Sequence, residues 1–184
     1  MRDGIYLEFS DDNHIENNIS QGHVRYGLHF MFSQSYQVIK NAFINNGAGI
    51  AIMFSKHMKM LHNTFKDNWG AASYGVLLKE ATDSELNYNV FERNTTGINV
   101  EGSNRINYFH NDFKGNGWAI RSRGANYQNT FKDNNFLDNS FDLSFKGNLA
   151  GNSFNGNFCI EYRVFDFVYV VVGDVRFGKV NVYY

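Results

Sequence analysis

Three observations predict an all-β fold, a right-handed parallel β-helix of about 22-residue coils. The string Asn-x-Phe-x-x-Asn recurs six times, a second register of Gly-led alternating strands drifts along with it, and helix-period apolar stripes are absent. The hand follows the rule for parallel crossovers.

The first register runs through Asn41/Phe43/Asn46, Asn63/Phe65/Asn68, Asn89/Phe91/Asn94, Asn111/Phe113/Asn116, Asn134/Phe136/Asn139 and Asn152/Phe154/Asn157. Asn17/Ile19/Gly22 is a weaker copy ahead of them. The second register opens strands at Gly4, Gly27, Gly49, Gly75, Gly97 and Ala119. Within each strand the first and third residues after the opener are mostly apolar, as in Leu28/Phe30, Ile50/Ile52 and Val76/Leu78, so one face of a period-2 strand points inward. Equal positions of successive coils then lie about 4.8 Å apart, and about seven coils make a rod roughly 34 Å long. The Phe column is expected to stack inside, and the Asn columns to form amide ladders at the turns, since each Asn offers both donors and an acceptor.

One coil is longer than its neighbours. Its excess, Trp69 to Tyr74, is expected to form a loop pushed out of the wall. Residues 1–157 read as coils and residues 158–184 as a divergent tail, in which eight Val replace the Asn/Gly rhythm. The chain begins in mid-strand without a cap or an export signal, as a fragment of a longer protein would.

Composition narrows the functions. Seventeen Lys+Arg against 18 Asp+Glu leave no basic field for nucleic acid. No apolar run reaches the ~20 residues of a membrane span. The single Cys159 excludes a disulfide framework and a Cys-based zinc site.

On the outward columns, Met31 and Met53 stand 22 residues apart, with His29 two residues before Met31 on the same face. An imidazole beside two thioethers is a soft set suited to Cu(I). His57, Met58 and His62 follow on an expected turn, and His57 is kept as a fourth candidate; Met60 is assigned to the core. The same residues also suit a covered outer wall or an adaptable protein-binding patch. His14, His23 and His110 read as surface residues. No catalytic residue is assigned. A carbohydrate-active or carbohydrate-binding β-helix is the alternative, but no column stacks acids in successive coils, and the Asp-Pro-His string of alginate epimerases needs a Pro that the chain lacks.

Several strings carry a resemblance: Asp3-Gly-Ile-Tyr-Leu7, Arg25-Tyr-Gly-Leu-His-Phe-Met-Phe-Ser33, Ala48-Gly-Ile-Ala-Ile-Met-Phe-Ser-Lys56, Asn68-Trp-Gly-Ala-Ala-Ser-Tyr-Gly-Val-Leu-Leu-Lys79, Glu101-Gly-Ser-Asn-Arg-Ile106 and Gly115-Asn-Gly-Trp-Ala-Ile120. The chain resembles the NosD-type periplasmic copper-processing proteins of nitrous-oxide reductase maturation. The resemblance implies an exported, non-enzymatic β-helix working with the membrane and ATPase subunits of an ABC transporter, a copper chaperone and nitrous-oxide reductase. It implies no tightly bound cofactor, and that His29, Met31, Met53 and His57 either hold Cu(I) transiently or contact a partner. The tail, Phe158-Cys-Ile-Glu-Tyr-Arg-Val-Phe-Asp166 onward, departs from the family pattern and keeps Tyr162, Asp166, Gly173 and Asp174.

Overall fold

A computed structural model describes residues 2–147 and 151–159, which form a right-handed parallel β-helix of about seven coils with no helix among the described residues. The first two coils are β1 (Ile5–Glu8), β2 (His14–Glu16), β3 (Ile19–Gln21) and β4 (Tyr26–Met31), β5 (Gln37–Ile39), β6 (Ala42–Ile44). The next two are β7 (Ala48–Met53), β8 (Lys59–Leu61), β9 (Thr64–Lys66) and β10 (Tyr74–Lys79), β11 (Thr82–Asn87), β12 (Val90–Glu92). Then follow β13 (Thr96–Glu101), β14 (Asn104–Phe109), β15 (Asp112–Lys114) and β16 (Trp118–Arg123), β17 (Thr130–Lys132), β18 (Asn135–Leu137). The last coil holds β19 (Phe141–Lys146), β20 (Ser153–Asn155) and β21 (Phe158–Cys159).

Three seven-stranded parallel sheets result. We call the sheet β1-β4-β7-β10-β13-β16-β19 the front wall. Each coil turns where residues adopt positive φ, and these too stack in columns, for example Asn17, Lys40, His62, Tyr88, His110 and Asp133. A left-handed residue ends strand geometry in one step, which is how short strands meet at sharp corners.

The core is columnar. Phe43, Phe65, Phe91, Phe113 and Phe136 are buried and stack at 4.8–5.3 Å between ring centroids. The front wall contributes Leu28, Ile50, Val76, Ile98 and Ile120, all fully buried. Two Asn ladders close the corners, one through Asn41, Asn63, Asn89, Asn111 and Asn134, the other through Asn46, Asn68, Asn94 and Asn116. The Trp69 insertion emerges between β9 and β10 and is pinned where Gly70 N–H donates to Thr95 Oγ1 (2.9 Å) and the Thr95 hydroxyl donates back to Gly70 O (3.0 Å).

Two repeats are placed differently from the sequence reading. In the first coil the register is Asn18–Ser20: Ser20 pairs with Phe43, Asn18 bonds to Asn41, and Ile19 points to solvent. Asn17 instead fills the left-handed turn position that Lys40 fills in the next coil, one residue ahead of the ladder position. The sixth copy is split: Phe154 stacks on Phe131 in another sheet, while Asn157 joins Asn134. Its short 18-residue spacing from Asn134 to Asn152 reflects this change of wall. Of the tail, only Phe158 and Cys159 lie within the described residues.

Candidate functional site

Alternation in β4 sends Leu28 and Phe30 into the core and His29 and Met31 to the outer face of the front wall; in β7 it does the same with Ile50 and Ile52 against Ala51 and Met53. The parallel register places Met31 beside Met53, His29 beside Ala51 and Tyr6, and Glu8 beside Met31. Three of the four expected residues therefore share one patch spanning two strands.

His29 faces outward yet is only 3% exposed, so the wall is covered at this position. The Tyr6 ring from the preceding coil (5.0 Å between centroids) and the Tyr26 ring from its own strand (4.8 Å) enclose it. Arg25 Nη2 lies 3.5 Å from His29 Nδ1, and His29 Nε2 is buried with no hydrogen-bond partner. Burial, followed by the charge of Arg25, lowers the imidazole pKa, which favours the neutral ring. Arg25 itself lies on the Tyr26 ring (4.6 Å), with Nε 3.3 Å from Asp3 Oδ1, close enough for an ion pair but off the hydrogen-bond line. The Tyr6 hydroxyl donates to Glu8 Oε2 (2.7 Å) and sits 4.0 Å from Met31 Sδ.

His57 is not in this patch. It occupies an exposed turn with φ +56°, around the corner from the front wall and near Asp83. Met58, expected on the turn, is instead buried in the core, as is Met60. His62 and His110 sandwich Tyr88 in an exposed stack at 5.1 and 4.9 Å on another corner. Arg25, Tyr6 and Tyr26 were missed as partners of His29. The repeat register already put Tyr6 in the His29 column, whereas the Arg25 contact depends on a side-chain path that spacing does not encode.

The patch has a distinct border. Phe9, Phe32 and Phe54 stack at 5.2 and 5.1 Å at the corner beside the Met column, all exposed and all with positive φ. Farther along the front wall the Met column continues as Lys79, Glu101 and Arg123.

Among the described residues no group of three His, Cys, Asp or Glu side chains is placed to hold a metal ion. A neutral imidazole with two thioethers is a donor set that fits a soft monovalent ion. Paired-acid chemistry does not fit this column. Its carboxylates, Glu8 and Glu101, stand four strand steps apart, about 19 Å, against the roughly 5–9.5 Å of glycosidase pairs.

A parallel β-helix with one imidazole and two thioethers on the outer face of one sheet is the class of protein these features define. Residues 1–170 match the family described as periplasmic copper-binding protein (NosD), and the chain belongs to that family. No curated protein matches the chain. Among solved structures, the A-module of the Azotobacter vinelandii mannuronan C-5 epimerase AlgE4 is similar at TM-score 0.69 and 15% identity, over 87% of this chain and 52% of that one. The periplasmic alginate epimerase AlgG is similar at TM-score 0.65 and 16% identity, over 86% and 48%. The chain therefore spans about half the length of these structures, and at such identity the likeness is one of fold. No helix among the described residues is long and apolar enough to cross a membrane.

Proposed function

We propose that this chain is a non-enzymatic periplasmic accessory which handles Cu(I) as cargo during maturation of the copper centres of nitrous-oxide reductase. In this reading an ABC transporter and a copper chaperone are its working partners. Family membership supports the copper role. The observation that carries the site is the His29 Nε2 atom, buried without a partner on the strand that presents Met31 to Met53. A buried polar atom without a bond costs about 1–3 kcal/mol, and an incoming soft ion would offset that cost. His29, Met31 and Met53 would hold the ion; two thioethers bind it loosely enough for transfer. His57, on its separate turn, is the weaker candidate.

An anaerobic Cu(I) competition titration tests the reading. The protein should compete with a colorimetric Cu(I) chelator, and Met31→Leu/Met53→Leu should lose that competition. Equal competition by both proteins would move copper off this wall. No competition by either would leave partner docking as the role of the patch.

A further inference from the structure

Resting on the copper reading above, we propose that Arg25 is a positioning residue that holds the His29 imidazole in its Nε2–H tautomer, so that metal reaches the ring only when Arg25 withdraws.

Guanidinium groups only donate hydrogen bonds and stay protonated. Arg25 Nη2 stands 3.5 Å from His29 Nδ1, so a proton on Nδ1 would set two donors face to face inside a poorly hydrated site. The neutral ring therefore turns the Nδ1 lone pair to Arg25 and carries its hydrogen on Nε2. That is the atom left buried without an acceptor. A ring in this state has no free lone pair: Nδ1 is covered by a cation, and Nε2 is protonated.

The arrangement is releasable. The Arg25 side chain is 37% exposed and is held by the Tyr26 ring and the 3.3 Å approach to Asp3. When it swings out, Nε2 loses its proton to water, Nδ1 takes one up, and the Nε2 lone pair is free for Cu(I). The imidazole stays neutral throughout and no net proton is released. Asp3, Glu8, Tyr6 and Tyr26 are the other charged or titratable groups near the ring. A partner presenting a carboxylate to Arg25 would draw it away and open the ring, which ties loading to docking.

The test begins without copper. Long-range 1H–15N correlation spectra of the 15N-labelled full chain, with His29 assigned through His29→Gln, should show the Nε2–H pattern. Arg25→Met should shift the ring toward Nδ1–H, and Arg25→Lys, which keeps a donor-only cation, should not. An Nδ1–H ring in the unmodified protein, or a tautomer unchanged by Arg25→Met, overturns the proposal. Arg25→Met should also compete for Cu(I) about threefold to tenfold more strongly than the parent, and equal competition overturns the gating step. Should neither protein bind Cu(I), the copper reading and the gate fall together, while the tautomer spectra still decide the positioning role.

Discussion

The backbone N–H of Asn63 and its side-chain amide both donate to Oδ1 of Asn89, at 2.9 and 3.0 Å, and Asn89 does the same to Asn111 at 3.0 and 3.1 Å. The Asn89 amide also donates to Met60 O at 2.9 Å. One side chain thus bonds two main-chain groups of the preceding coil and the side chain of the next. Asn is the side chain that offers an acceptor and two donors at this length.

Asn89→Ala should therefore cost far more than a turn substitution. It strands the Asn63 N–H in a fully buried corner, and at ~1–3 kcal/mol for such a group the loss is about 1–3 kcal/mol. Asn107→Ala, on the half-buried outer side of β14, should stay within about 0.5 kcal/mol. Urea midpoints of the two variants measure the contrast. Similar midpoints would mean that the ladder is dispensable.

The ladders, the Phe column and the Met31–Met53 pair were legible in the sequence because each repeats at the coil period. What was not legible has local causes. In the first coil the ladder Asn is Asn18 and a Ser, Ser20, stands at the Phe position, so the neighbouring Asn17 and Ile19 imitate the repeat one residue out of register. The enclosure of His29 comes from Tyr6 in another coil and from Arg25 and Tyr26 beside it. Such contacts follow rotamers, which spacing leaves free.

The openers of the front-wall strands are Gly because the next coil is too near. A Cβ on Gly75 would lie 2.6 Å from the Gly97 carbonyl oxygen and 2.9 Å from Phe91 Cδ1. The oxygen belongs to a backbone fixed by its own ladder and cannot yield cheaply. Gly75→Ala should destabilise by about 1–3 kcal/mol, as overpacking does. Ala119 occupies the same column farther along, so Ala119→Gly should cost less than about 1 kcal/mol. Thermal unfolding of both variants checks this, and equal melting points would contradict it.

Arg105 grips Asp83 with two parallel bonds, Nε to Oδ1 at 2.6 Å and Nη2 to Oδ2 at 2.8 Å. The hydrogen bond from Arg105 is the main cause that lowers the Asp83 pKa to about 2. Because the folded value lies below the unfolded one, near 3.9, the pair stabilises fully above about pH 5. That contribution fades as pH falls toward 2. Arg105 is exposed and Asp83 only half-buried, so its size is small. Carboxyl NMR should give an Asp83 midpoint near 2, moving up in Arg105→Gln. A midpoint near 3.9 in the parent protein would rule the grip out.

His57 and Met58 are neighbours with opposite fates. The positive φ of His57 interrupts period-2 alternation, so the imidazole stays in solvent while the next side chain turns inward and is 1% exposed. The sequence reading placed both on the turn because alternation cannot be carried through a left-handed residue. Met58→Ala removes a packed core side chain and should cost about 2–5 kcal/mol. His57→Ala touches neither the core nor the front wall, and should leave both stability and Cu(I) competition unchanged. Loss of Cu(I) competition in His57→Ala would instead show that the ion bridges the corner between the turn and the Met31–Met53 pair.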